Sequence, residues 1–476
     1  MRRFGIFLLS CSFGVLPLPL YASSTPAGLA VDTIPPELKL KIDTAAGQIL
    51  SDTGVPSASI AIVEHGSIVY THGYGKARLD PPEIAAPKMR YSIGSISKQF
   101  TAAAILMLEQ QGKLSIDDPV SKYLPDLTRA NEVTIRMLLS HTSGYQDYYA
   151  EDYTMPPMRV ATTAQHILDV WGKKPLDFDP GTKWQYSNTN YVIAGQIVEK
   201  VSGMPLMKFL RAHVFRPLDM KAVWNSDVEK LGDTDAQGYV RYALGPLRPA
   251  VGEGKGWMFA AGELAMPAYD LAQWDISMMD RSLLATKSYD EMADAVKLKD
   301  GSDTHYGLGV FVRELSGHPY YEHSGEVSGF VSENEVFPQD KIAIAVLTNQ
   351  DASPAAERIA RQLGPILLGV EEAPANKAEE QALTVFKGFQ QGRIDRSLFT
   401  ENCNAYFSQQ AVDDFHSSLA PLGTPSGLKQ VGEDERGGMT FRIYRVEFPH
   451  SSQRLTITTY TMPDGKLEQY LVMPAD

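Results

Sequence analysis

Residues 91–101 read Tyr91-Ser92-Ile93-Gly94-Ser95-Ile96-Ser97-Lys98-Gln99-Phe100-Thr101 and run straight into the apolar stretch 102–108, which stops near Gly112. Gly94-Ser95 stands where a helix begins. Residues three apart share a helix face, so the Ser95 hydroxyl and the Lys98 amine can meet. A serine is a weak nucleophile until a neighbouring base takes its proton. Lysine becomes such a base when burial and nearby positive charge lower its pKa. A helix N-terminus also gathers N–H groups and partial positive charge, which suit an oxyanion. Alone, the spacing Ser-x-x-Lys is a weak signal: a chain of this length holds about one or two by chance, and a helix cap followed by a surface lysine has the same text. A second match, Ser426-Gly427-Leu428-Lys429, lies in a Gly/Pro-rich stretch with no helical pattern and is read as a decoy.

Two further segments carry chemistry. Pro180-Gly181-Thr182-Lys183-Trp184-Gln185-Tyr186-Ser187-Asn188 leads from a turn into a helix, with Tyr186 and Asn188 expected on the loop before it. A phenol relays a proton, and a carboxamide offers an amide substrate both a donor and an acceptor. The plain reading is a buried tyrosine and a capping asparagine. Glu322-His323-Ser324-Gly325-Glu326 falls at the end of one expected strand and before the next. A small residue followed by Gly on a strand lets a substrate backbone approach closely; the plain reading is a turn with a satisfied histidine.

Outward from these segments, residues 37–50 carry an amphipathic helical pattern, and 57–63 and 67–70 read as a hairpin about Glu64-His65-Gly66. From about 95 to 300 the text is helical, broken by Pro/Gly/Asp-rich loops. Strands return at 306–313, 320–323, 327–337 and 341–347, and a helix at 355–368 closes the unit. Strands at both ends with helices between predict one antiparallel sheet assembled from the two ends of the chain, an α+β class. Residues 369–377 read as a linker. Residues 378–476 then read as a small α+β domain of two helices and three or four strands, with a turn at Pro463-Asp464-Gly465.

Composition excludes several classes. Hydrophobic residues make up 43% and charged residues 21% of the 476, the balance of a globular protein, and the net charge of −13 with no basic stripe argues against nucleic acid. The sequence has no His-Glu-x-x-His, paired-Cys, Walker or Gly-x-Ser-x-Gly pattern, so no metal or organic cofactor is implied. Arg2-Arg3 followed by apolar 4–20 and Tyr21-Ala22 reads as a signal peptide over 1–22, cut after Ala22, for an exported protein. Lipid attachment at Cys11 is the alternative, against which the apolar region before it is short. No internal run reaches the ~18 apolar residues a membrane span needs. Cys403 is then left alone and reads as a small buried hydrophobe.

Taken together and in this order, Ser95-x-x-Lys98, Tyr186-Ser187-Asn188 and His323-Ser324-Gly325 resemble the serine β-lactamase and D,D-peptidase superfamily, nearest its class C-like branch of β-lactamases, D,D-carboxypeptidases, D-aminopeptidases and esterases. Leu138-Leu139-Ser140-His141-Thr142-Ser143-Gly144-Tyr145, Pro217-Leu218-Asp219-Met220 and Ala261-Gly262-Glu263-Leu264 with Asp270-Leu271 look like the branch's flanking segments. The likeness covers about residues 37–368. It implies an antiparallel sheet flanked by helices plus an all-helical subdomain, with the site between them. It implies that Ser95 forms an acyl-enzyme, that Lys98 and Tyr186 share the proton work, and that Asn188 binds the substrate amide. His323 would give a polar or partly cationic contact, beside Ser324 and Gly325, and the backbone N–H groups of Ser95 and Glu326 would form the oxyanion hole. His141 reads as scaffold.

One departure narrows the substrate. His323 stands where most β-lactamases carry Lys, as in the peptidase, aminopeptidase and some esterase members, and a partly charged His holds a carboxylate less firmly. The expected activity is therefore hydrolysis of amide bonds in small peptides. A carboxylesterase comes second; a weak β-lactamase or a catalytically silent acyl-binding protein follows. Residues 378–476 lie outside this likeness and weakly resemble the cone-shaped nuclear-transport-factor-like fold; packing against the catalytic domain or shaping substrate access is their expected job. Oligomeric state is not legible.

Overall fold

In the computed structural model the hairpin text becomes β1 (Ser57–Glu64) and β2 (Ser67–Leu79), followed by the short β3 (Pro82–Ile84). Far along the chain β4 (Phe311–Leu315), β5 (His318–Val327), β6 (Phe330–Phe337) and β7 (Ile342–Thr348) complete a seven-stranded antiparallel sheet, ordered β3-β2-β1-β7-β6-β5-β4. The structure describes residues 31–150, 154–242, 245–370, 377–425, 427–436, 439–448 and 454–474. The expected signal peptide, Cys11 and most of the expected linker lie outside the described residues.

The sheet joins the two ends of its unit where β1 meets β7, with Ala61 opposite Ala345. The Ser57 N–H donates to Asn349 Oδ1 (2.9 Å), and the other end of that carboxamide donates to the carbonyls of Ala77 and Gln237. Successive side chains alternate faces. Ile60, Ile62, Ile344 and Val346 pack under α1 (Pro36–Thr53) and α5 (Ala355–Leu368). Ala61, Val63, Ala343, Ala345 and Leu347 face a larger core that includes α2 (Ser97–Gln110), α3 (Asn188–Ser202) and α4 (Ala268–Asp280). Each fully buried Ile or Leu contributes about 1.5–3 kcal/mol, so both faces are strongly held. The helical half also carries a small sheet, in which Leu264–Met266 pairs with Tyr91–Ser92 and Trp224–Asn225.

Strand β2 runs on to Leu79, well past the expected 67–70, β6 begins at Phe330 rather than 327, and two further differences bear on the site. Residues 306–310 form a turn, closed by Gly307 N–H to Val310 O, rather than the start of β4. The His323-Ser324-Gly325 segment sits inside the continuous strand β5, with Gly325 opposite Ser332, rather than at a strand end. Close backbone packing explains the second. A Cβ on Gly325 would lie 2.0 Å from the Ile93 carbonyl oxygen, and Ser332 Oγ donates to that same oxygen (2.9 Å). Gly94 adopts φ +50°, and a Cβ there would lie 2.7 Å from the Glu326 nitrogen. Two glycines thus let β5 lie against the turn that carries Ser95.

The chain divides into compact units between Leu368 and Gly369. In the second, β8 (Gly427–Arg436), β9 (Met439–Glu447), β10 (Leu455–Thr461) and β11 (Leu467–Pro474) form a sequential antiparallel sheet. It packs with α6 (Lys377–Gln390), α7 (Glu401–Tyr406) and α8 (Gln409–Leu419) around Phe386, Phe389, Phe407 and Tyr470. Cys403 is buried there, and burial pushes its thiol up to about 11, so it is an inert core residue. Ser426 lies outside the described residues; Lys429 stands on strand β8.

Gly325→Ala is expected to destabilise the first unit by about 1–3 kcal/mol through this backbone clash. A denaturant titration against wild type measures it; an unchanged midpoint would contradict the close approach.

Candidate active site

Ser95 sits in a 3₁₀ turn, Gly94–Ile96, that feeds directly into α2. The start of that helix is pinned to residues 260–264. Leu264 N–H donates to Ser97 Oγ (3.1 Å) and Thr101 Oγ1 donates to Ala260 O (2.8 Å). Ala260 has φ +60°, and the turn it makes presents the Ala261 carbonyl to the helix. This gives the Ala261-Gly262-Glu263-Leu264 segment its role.

Lys98 is fully buried, and its Nζ lies 2.9 Å from Ser95 Oγ, 2.8 Å from Asn188 Oδ1 and 2.8 Å from Ala261 O. An ammonium donates to all three. A neutral amine donates its two N–H bonds to Asn188 and Ala261, which leaves its lone pair to accept the Ser95 hydroxyl proton. Burial lowers the Lys98 pKa to about 7, against the attraction of Asp147. The Tyr186 hydroxyl also bonds to Ser95; burial pushes its pKa up, so it stays protonated and is suited to pass a proton on. Lys98 Nζ lies 4.9 Å from the Tyr186 ring centroid.

His141 holds Tyr186 from behind. Its carbonyl accepts the Gln185 N–H (3.0 Å), its Nδ1 accepts the Ser187 N–H (3.1 Å), and its ring lies against Tyr186, tilted by 34° with centroids 4.3 Å apart. Burial and Lys98 hold its pKa well below the ordinary histidine value.

The remaining expected residues arrive as follows. Asn188 is the first residue of α3, not part of the preceding loop. Its carboxamide is already engaged: Oδ1 accepts from Lys98, and Nδ2 donates to Asp147 Oδ2 and Tyr149 O, both at 3.2 Å. His323 is not the partly cationic contact expected of it. Its Nε2 bonds to Tyr306 Oη (2.9 Å), its Nδ1 to Ser324 O (2.5 Å), and burial with nearby Lys98 lowers its pKa to about 3. It is an uncharged wall residue with both nitrogens used. Ser324 is exposed at the site, and Gly94 brings the Ser95 turn against the Glu326 backbone.

These residues line one cavity of about 630 Å³, which contains Ser95, Tyr186, Asn188, His323, Ser324 and Glu326 and has Trp184, Met258 and Phe311 as apolar walls. Asp147 also lines it, and sequence reasoning missed that residue. It follows the Ser140–Gly144 segment by three residues, and nothing in its immediate text marks it. Among the described residues no group of three or more His, Cys, Asp or Glu is placed to hold a metal ion.

The sequence matches the Beta-lactamase family over residues 42–366, more than half the chain. The chain belongs to the β-lactamase family. It is a serine hydrolase. Among curated relatives it is 28% identical over 293 residues to a putative penicillin-binding protein, PbpX, of Bacillus subtilis (strain 168), covering 62% of this chain and 70% of that one. Among solved structures it resembles a D-stereospecific amidohydrolase from Streptomyces sp. (27% identity, TM-score 0.58, 66% of this chain and 96% of that one). It also shares the fold of the octameric penicillin-binding protein homologue from Pyrococcus abyssi (24% identity, TM-score 0.64, 92% of this chain and 96% of that one).

If Lys98 is the base for Ser95, it must be neutral to act. Inactivation by a fluorophosphonate should then rise about tenfold per pH unit below pH 7 and level off above it. Lys98→Arg, which cannot lose its proton, should slow it at least a hundredfold, roughly. A flat profile from pH 5 to 9 would rule out Lys98 as the titrating base.

Proposed function

We propose that the protein cleaves amide bonds of small peptides through an acyl-enzyme on Ser95, and that it acts as an aminopeptidase or amidase rather than as a carboxypeptidase. The observation that carries the reading is the Ser95–Lys98 contact, in which a buried lysine spends its other two N–H bonds on protein acceptors. Lys98 takes the hydroxyl proton as Ser95 Oγ bonds to the carbonyl carbon. The oxyanion faces the N–H groups of Ser95 and Glu326. The proton passes by way of Tyr186 to the leaving nitrogen, the C–N bond breaks, and water releases the acyl group by the reverse path. The name of the Streptomyces neighbour, a D-stereospecific amidohydrolase, supports an amide substrate.

Charge supports the choice within that class. Asp147, Glu326 and Asp351 line the cavity, and among the described lining residues no lysine or arginine is present. Lys98 lies beneath Ser95 with its hydrogens taken, and His323 is uncharged. A substrate carboxylate, as in a penicillin or a C-terminal D-alanyl peptide, meets no lysine or arginine in this lining, whereas an α-ammonium group meets three carboxyl groups, of which Asp147 and Asp351 are pushed toward the neutral form by burial. A carboxylesterase is the second reading, favoured by the apolar walls Trp184, Met258 and Phe311. The Arg2-Arg3 start and the apolar 4–20 stretch support export with cleavage near Ala22.

The test compares wild type and Ser95→Ala by intact mass after fluorophosphonate and fluorescent penicillin. Phosphonate labelling lost in Ser95→Ala is expected, with weak penicillin labelling. D-alanine p-nitroanilide should then exceed N-acetyl-D-alanyl-D-alanine about tenfold or more in kcat/KM, the value of one charge-assisted contact. The reverse preference would overturn the aminopeptidase reading. Turnover of p-nitrophenyl acetate with neither amide cleaved would make it an esterase, and a single labelling event without turnover an acyl-binding protein.

A further inference from the structure

We infer that Asp147 is a positioning residue for the Ser95–Lys98 pair, acting through the Asn188 carboxamide; this rests on the acyl-enzyme reading above. The geometry is a chain of contacts. Asp147 Oδ1 accepts the N–H groups of Tyr149 (3.1 Å) and Asn188 (2.9 Å), which fixes the carboxylate at the first turn of α3. Asp147 Oδ2 accepts from Asn188 Nδ2 (3.2 Å), Asn188 Oδ1 accepts from Lys98 Nζ (2.8 Å), and Lys98 Nζ meets Ser95 Oγ (2.9 Å).

A carboxamide can turn end for end at little intrinsic cost, and the two ends have opposite hydrogen-bonding roles. Asn188 must present its oxygen to Lys98, because an NH₂ group there would oppose the amine's own hydrogens and misdirect the lone pair. The far end settles the orientation. Asp147 Oδ2 and the Tyr149 carbonyl are both acceptors without hydrogens, so only Nδ2 can face them. Asp147 forms no ion pair with Lys or Arg among the described residues; burial raises its pKa, and Lys98 together with the hydrogen bonds from Tyr149 and Asn188 favours its charged form.

The other groups around the pair do not share that charge. Facing Lys98 are His141 from the Ser140–Gly144 segment and His323 from β5, both held uncharged, and Tyr186 and Tyr191, both held protonated by burial. Facing Asp147 are Lys98, Tyr148 and Tyr186. Glu326 and Asp351 are the further carboxylates of the cavity wall. Asp147 favours the ammonium form of Lys98 and opposes the effect of burial. It therefore sets how far the base is depressed as well as where its lone pair points.

The test is the pH profile of fluorophosphonate inactivation in wild type, Asp147→Asn and Asp147→Glu, each checked for folding by circular dichroism. Removing the charge should move the acid limb down by about one pH unit, and the misoriented carboxamide should lower the plateau about tenfold. Asp147→Glu keeps the charge and displaces the hydrogen bond, so its limb should stay near wild type while its plateau falls. A purely structural role would lower the rate at all pH values and leave the limb in place. That result in Asp147→Asn would overturn the inference. If Asp147→Asn does not fold, a limb shifted by a whole unit in Asp147→Glu would overturn it equally. A wild type that is never labelled at Ser95 would remove the acyl-enzyme reading and the inference with it; labelling with an unmoved limb would remove only the inference.

Discussion

The structure turns on the burial of one amine. Lys98 has no solvent exposure, and a buried lysine is costly unless it is neutral or fully bonded. Its three contacts come from three parts of the chain: Ser95 one turn before it, Asn188 at the start of α3, and Ala261 in the strained turn before Leu264–Met266. Each requires a supporting device. The positive φ of Ala260 aims the Ala261 carbonyl, Ser97 and Thr101 tie that segment to α2, and Asp147 orients Asn188. Satisfying the lysine and arming the serine are the same arrangement, so loosening any member weakens both.

The opposite wall follows a different constraint, the close approach of two backbones. Gly94 and Gly325 lack the Cβ atoms that would hold the Ser95 turn away from β5. His323, beside Gly325, is consumed by bonds to Tyr306 and to the Ser324 carbonyl. The cavity between these walls is thus acidic and apolar rather than basic. That balance is the basis of the proposed preference for an α-ammonium group over a carboxylate.

Much of this was legible in the sequence where local rules suffice. Ser95 and Lys98 share a helix face by spacing, the 57–70 hairpin follows from alternation, and Tyr186 stands out between a Pro-Gly turn and a helix. Misreadings arose where the deciding partner is remote. Gly325 ends strands in local text, yet here it continues one because Ile93 lies across it. Tyr306 looks like strand, but its turn carries the phenol to His323. Asn188 reads as a loop residue, yet it opens α3, where Lys98, Asp147 and Tyr149 engage its carboxamide. Asp147 itself had no local signal, since its importance comes from Asn188 and Lys98, neither of which is near it in sequence.

The placement of β1 beside β7 has a consequence for the order in which a ribosome delivers the chain. The nucleophile and its lysine emerge early, but the strand that supplies Glu326, and the strand that locks the sheet through Asn349, emerge hundreds of residues later. Such long-range closure is slow relative to local helix formation. A nascent chain therefore carries Ser95 for much of its synthesis without the strand that its turn packs against. The pocket around Ser95 is complete only once β5 has docked on the Gly94 turn.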